Sequence, residues 1–153
     1  MKPAKGQTQM KMPLSSRLIF ALLAILLPLG SHLADFNKTH IFNPNWPPHA
    51  KFHGAQTLMF SWLLGICSVF FAWRKSKDRL ASVLAASLFA AVYWIAQIGA
   101  IFYPGTAVFD PDTITPASML MGIPGQIYAE AFFLILTALA TWLALKSNAK
   151  WTD

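Results

Sequence analysis

Four long apolar stretches, separated by polar and proline-bearing segments, set the pattern of this chain. Residues 14–33, 50–73, 80–103 and 127–145 each supply the roughly 20 mainly apolar residues that a membrane-crossing helix needs, because backbone groups in hydrocarbon can bond only to one another. The third stretch carries no charge at all. Arg17 lies near the start of the first, the second is fully apolar only from Leu58, and the fourth is interrupted only by Glu130. The pattern predicts an all-α integral membrane four-helix bundle forming a single domain over residues 1–153. The short hairpin at residues 74–79 requires the second and third spans to be antiparallel neighbours. Loops 34–48 and 104–126 are much longer and rich in Pro with Asn or Asp, which set turns. Within the second of them, residues 116–123 are expected to form a short helix lying at the interface.

Composition agrees with the pattern. The chain is 56% hydrophobic and 12% charged, against roughly 25% charged residues in soluble domains. Lys2, Lys5, Lys11 and Arg17 before the apolar core from Leu18 to Leu29 also fit a secretory signal. The end of that core, Leu29-Gly30-Ser31-His32-Leu33-Ala34, offers no good small-x-small cleavage pattern, so an uncleaved first span is the better reading. Basic residues are retained on the cytoplasmic side, and here they cluster in the N-terminal tail and in the hairpin, as Arg74, Lys75, Lys77 and Arg79. Loop 34–48 has only Lys38 and Lys51 near it, and loop 104–126 has none but carries Asp110 and Asp112. Both termini are therefore expected in the cytoplasm, with the histidine-bearing loop on the extracytoplasmic side of what would be a bacterial inner membrane. The net charge of +6 reads as a topology signal answered by anionic headgroups. Nucleic acid is not an expected partner, since no basic patch interleaved with aromatics is present.

Several features read as scaffold. Ala81, Ala85, Ala86, Ala90 and Ala91 let neighbouring helices approach the third span closely. Pro28 and Gly30 are expected to kink the end of the first. Cys67, alone and inside the second span, permits no disulfide within one chain. Asn37-Lys38-Thr39 matches a glycosylation sequon, relevant only in a eukaryotic source.

The chemistry is concentrated elsewhere. His32, His40, His49 and His53 all fall between the cores of the first two spans. On a helix His49, His53 and Gln56 form one polar strip, preceded by Pro47 and Pro48 at a position where a missing N–H costs nothing. A His pair at i and i+4 can ligate one metal, zinc for example, with further ligands drawn from His32, Asp35, His40, Asp110 and Asp112. The bland alternative is an interfacial belt of His beside Trp46 bonding to loop backbone.

Glu130 needs its own reason, because a carboxylate one turn inside a span normally faces a bundle interior or a wet cavity. Its face includes Gln126, Thr137 and Thr141, and the third span adds Tyr93 and Gln97. An outward-opening polar cavity shared by the spans is the economical arrangement; interhelical hydrogen bonding is the structural alternative.

The run Asn43-Pro44-Asn45-Trp46-Pro47-Pro48-His49-Ala50-Lys51-Phe52-His53, with Gln56 after it, resembles the signature of an uncharacterised family of small four-span membrane proteins, a domain of unknown function. That resemblance implies a four-helix membrane fold with the motif opening the second span, and no substrate. In layout alone the chain is also similar to the four-span sterol isomerase and sigma-2 receptor group, whose sites are polar cavities in the bundle; no motif is shared.

The expected function is binding of a small lipophilic or amphiphilic molecule in the outward cavity. As an enzyme, the protein would use His53 and Glu130 for proton transfer, with His49 and Asp35 in support and Gln56, Tyr93, Gln97 and Gln126 lining the pocket. The rivals are a transition-metal protein using the histidines and a membrane assembly subunit. A bis-histidine haem would need one His on each of two facing helices at similar depth, whereas only His53 enters a span. Transport is disfavoured by the absence of an internal repeat. The expected partners are membrane lipids and a small lipophilic ligand, with self-association left open.

Overall fold

The apolar stretches fold as helices whose ends are set by local chemistry. The computed structural model describes residues 10–109 and 119–146. Its elements are α1 (Leu14–Asp35), α2 (Pro48–Trp73), α3 (Arg79–Ala100), the strands β1 (Met119–Leu120) and β2 (Ile123–Pro124), and α4 (Gly125–Lys146). Pro47 and Pro48 open α2, with Pro48 in its first turn, where the absent donor would have been unpaired anyway. Asp78 caps α3 by accepting from the Ala81 amide at 2.9 Å, satisfying one of the free N–H groups of the first turn. At its other end α3 stops at Ala100. The Thr106 hydroxyl donates to the Ala100 and Tyr103 carbonyls at 2.9 and 2.8 Å, and Pro104 disfavours helical geometry at Tyr103.

All four helices are long and apolar enough to cross a membrane. Consecutive helices pack against one another, and α1 packs against α4, which closes the ring of a four-helix bundle. The distribution of side chains is that of a membrane protein. Large apolar residues such as Leu18, Leu22, Ile25, Ile66, Phe70, Leu84, Leu88 and Ile135 point outward, while Ser16, Ser61, Ser68, Ser82, Thr137, Ala72, Ala86 and Ala140 are buried. A soluble bundle would aggregate through such a surface; in lipid, small and hydroxyl-bearing interior residues are what let backbones approach. The protein is therefore an integral membrane protein in contact with lipid.

Three neighbouring pairs of helices are joined by hydroxyl groups. Ser31 of α1 reaches the Ser61 hydroxyl of α2 at 2.9 Å, Ser68 of α2 donates to the Ala86 carbonyl of α3 at 2.9 Å, and Ser87 of α3 meets Thr141 of α4 at 2.6 Å. Such bonds average about 0.6 kcal/mol each in a membrane. Stacked aromatic rings add to them, Trp94 on Phe133 at 4.3 Å and Phe71 on Phe89 at 5.7 Å.

The two ends of the bundle differ in kind. At one, Met10 and Ser76 exchange backbone hydrogen bonds of 3.1 and 3.0 Å, so the chain at Met10 lies against the α2–α3 hairpin. Arg17 covers the Trp73 ring at 4.8 Å and Arg74 the Phe71 ring at 5.0 Å, placing this end's cations against aromatic faces. At the other end lie the two longer loops. Residues 119–124 are a hairpin and not the expected interfacial helix. Met121 and Gly122 have φ of 51° and 79°, the positive pair that a two-residue turn matched to strand twist requires and that a helix cannot contain. Asp110, Asp112 and Pro116 lie outside the described residues.

Candidate functional site

The loop that follows α1 is held by its own side chains. Asn37 accepts from the Thr39 amide and hydroxyl at 2.8 and 2.6 Å, and Asn43 donates to the Thr39 carbonyl at 3.1 Å while accepting from the Asn45 amide at 2.9 Å. These are the local side-chain bonds through which Asn fixes turns. The Ile41 amide returns to the Asp35 carbonyl at 3.2 Å. Trp46 sets its ring edge-on to His40 with centroids 5.2 Å apart. A Cβ at Gly54 would lie 3.2 Å from Ile41 Cδ1 and 3.5 Å from Trp46, so the bare glycine lets the loop settle onto α2. The Asn-Pro-Asn-Trp run is thus structural, and what it positions is His40.

His40 Nε2 stands 3.7 Å from Asp35 Oδ1. Its Nδ1 is 2.7 Å from the Thr39 hydroxyl oxygen. Because the Thr39 proton is committed to Asn37, Thr39 accepts, which assigns a hydrogen to His40 Nδ1 and leaves Nε2 near the carboxylate but beyond hydrogen-bond distance of it. His32, by contrast, is turned back: its Nδ1 is 2.8 Å from the Pro28 carbonyl, the bond expected of an Nδ1–H donor.

Asp35 and His40 sit on the wall of a cavity of about 610 Å³ at the loop end of the bundle. Thr57, Phe60 and Leu64 of α2 line it on one side, and Val92, Tyr93, Ala96, Gln97 and Ala100 of α3 on another, with Gln126 of α4 and Val108 completing it. Tyr93 lies against Ser31 and within electrostatic reach of Asp35. Gln97 carries a buried Oε1 with no hydrogen-bond partner among the described residues. The walls are therefore mainly apolar, with a few polar groups converging near the loops.

Glu130 is buried, with 6% of its surface exposed. It lines an adjoining crevice of about 180 Å³ that shares Gln97, Ala100, Val108 and Gln126 with the larger cavity. Thr137 and Thr141, on the same helix, donate to backbone carbonyls at 2.8 and 2.7 Å and serve packing. His49 and His53 are exposed and line neither cavity. Their Nε2 atoms are 3.1 Å apart, and His53 Nδ1 is 3.1 Å from Gln56 Oε1. His53 nevertheless shares a stripe of α2 with Thr57, Phe60 and Leu64, at offsets of four, seven and eleven residues, so the pair stands at the rim above the cavity wall. Among the described residues no group of three or more His, Cys, Asp or Glu side chains is placed to hold a metal ion.

The residues predicted from sequence thus divide into three sets. Asp35, His40, Tyr93, Gln97 and Gln126 share the cavity; Glu130 occupies its side crevice; His49, His53 and Gln56 form the rim strip. Sequence reasoning missed Thr57 and Ser31, whose hydroxyls look like ordinary helix packing, and it did not pair His40 with Asp35 because that pairing depends on a loop fold.

The model of a family described as a family of unknown function, DUF6640, matches residues 19–128. No curated protein and no solved structure matches the chain.

Proposed function

The chain belongs to this family of unknown function, and we propose that its loop-end cavity binds a small lipophilic or amphiphilic molecule and acts on it by acid–base chemistry. The observation that carries the reading is the cavity of about 610 Å³ with the Asp35–His40 pair on its wall. That volume falls within the roughly 300–1,000 Å³ of small-molecule sites, which are likewise mainly apolar with a few convergent polar groups. An apolar ligand body would lie along Phe60, Leu64, Val92 and Ala96, and its polar group would meet His40, Tyr93, Gln97 and Gln126.

His40 suits a general base. With hydrogen on Nδ1, its Nε2 lone pair takes a proton from the ligand, and the Asp35 carboxylate 3.7 Å away stabilises the imidazolium formed. Tyr93, facing Ser31 and Asp35, supplies a hydroxyl for the ligand's polar group. Glu130 in the crevice is a second carboxyl at the Gln97 and Gln126 end, and His53 at the rim is the residue a ligand passes on entry. The same reading places the cavity on the extracytoplasmic face of a bacterial inner membrane, with the basic end inside.

Native mass spectrometry of protein released gently from detergent tests the reading. Wild type should retain a small-molecule adduct. Ala96→Phe, which fills the cavity from an exposed methyl without displacing the core, should lose it, and His40→Ala should retain at most about a tenth as much, the scale of one lost charged hydrogen bond. Equal adduct on wild type and Ala96→Phe would overturn the proposal.

A further inference from the structure

The His49, His53 and Gln56 strip takes no part in the acid–base step proposed for the cavity, and its geometry has an independent meaning. We propose that His49 and His53 form a transition-metal site with open coordination positions at the rim of the bundle. The two Nε2 atoms are 3.1 Å apart and the rings are nearly perpendicular, at 81°. Two imidazole nitrogens bound to one tetrahedral ion at about 2.0–2.1 Å lie roughly 3.3 Å from each other. The pair is therefore close to ligating separation already; without metal His49 Nε2–H donates to His53 Nε2, and an ion bound to both nitrogens replaces that hydrogen, His49 carrying its own on Nδ1 instead.

Gln56 fixes the tautomer this requires. Its Oε1 accepts from His53 Nδ1 at 3.1 Å, so the His53 lone pair resides on Nε2 and points at His49. A metal-bound histidine characteristically donates its other ring N–H to such an acceptor, which orients the ring and raises its basicity. His49 is held in turn by stacking on Phe52, with 8° between planes and centroids 6.2 Å apart. The site is built on one helix, whose rigidity holds i and i+4 residues on a common face.

The described residues bring no third ligand to the pair. With both rings exposed, the described residues leave coordination positions open to water or to a molecule arriving from outside, unlike a closed four-ligand structural site. Imidazole nitrogens select zinc, nickel or copper, with copper(II) bound most tightly, and they exclude calcium and magnesium, which need oxygen ligands. The stripe running down to Thr57, Phe60 and Leu64 places the ion at the cavity entrance.

Copper(II) titration of untagged, chelator-stripped protein in detergent, followed by calorimetry and by electron paramagnetic resonance, tests the site. Wild type should bind one ion per chain with nitrogen hyperfine structure from two imidazoles. His49→Ala and His53→Ala should each weaken binding at least about tenfold and remove one nitrogen from the spectrum, and Gln56→Ala should weaken it by about tenfold, as loss of such an outer partner does. His40→Ala should bind as wild type does, which separates this site from the Asp35–His40 pair. Wild-type affinity and stoichiometry in the His49→Ala, His53→Ala double variant would overturn the proposal. Loss of metal in those variants with adduct retention unchanged in the mass spectrometer would leave the metal site standing apart from the cavity reading.

Discussion

Gly65 shows how much a single position decides in this bundle. Pro28 has no N–H, so the Ala24 carbonyl four residues earlier in α1 lacks its helical partner. The α2 backbone comes to that same oxygen at Gly65: a Cβ there would stand 2.8 Å from Ala24 O and 3.3 Å from Ala24 Cα. The glycine lets a Cα–H group face an under-bonded carbonyl, a weak but recurrent contact between helices. Gly65→Ala should therefore lower the unfolding midpoint in detergent. Overpacking costs about 1–3 kcal/mol and exceeds the roughly 1 kcal/mol that Ala gains in helix propensity. Gly30→Ala in α1, with nothing within 4 Å of its added methyl, should shift the midpoint the other way. A gain in both variants would remove the argument. From sequence, Gly65 was one small residue among many, because its role depends on a carbonyl in another helix. Glu130 was easier: a lone carboxylate in an apolar span had to be buried or bonded, and it is buried. His40 and Asp35 were legible as residues but not as a pair, since their meeting depends on the Asn37 and Asn43 bonds that fold the loop.

At the level of elements, the helices were readable and the short loop structure was not. Apolar runs of about 20 residues leave one low-energy solution in lipid, so α1 to α4 follow from hydropathy. Residues 119–124 offered no such constraint. Their turn is Met121-Gly122, which lacks the Asn-Gly or Asp-Gly pair that announces a two-residue hairpin. Met121 holds φ at 51°, a conformation an unbranched side chain adopts at a cost of about 1–2 kcal/mol. Met121→Asn should relieve part of that cost and slow hydrogen exchange at the paired Leu120 and Ile123 amides, while Gly122→Val, β-branched at φ of 79°, should speed it. The Tyr128 hydroxyl donates to the Leu120 carbonyl at 3.2 Å and ties the hairpin to α4, so the change should extend into the first turn of that helix. Unchanged exchange in both variants would mean that the turn does not govern the hairpin.

For the whole molecule the open issue is which way the bundle stands in its membrane, because the proposed cavity and metal rim acquire their ligands from whichever compartment the long loops face. The polarity is built into the fold. Lys11, Arg17, Arg74, Lys75, Lys77 and Arg79 gather at the end where Met10 pairs with Ser76, whereas the cavity and the histidines lie at the other end. Basic residues near short loops are held back during insertion, so the basic end should be cytoplasmic and the cavity should open outward. Single cysteines in a Cys67→Ser background read this directly. Thr106→Cys, on an exposed loop at the cavity end, should react in intact cells with a maleimide that cannot cross the membrane. Lys77→Cys, in the exposed hairpin at the basic end, should react only after permeabilisation. The opposite labelling would turn the bundle over, and with it the source of any ligand: the His40 base would then draw its substrate, and the His49–His53 pair its metal, from the cytoplasm. The helix packing and the site geometry would stand in either orientation, so the labelling tests the environment the site samples independently of its chemistry.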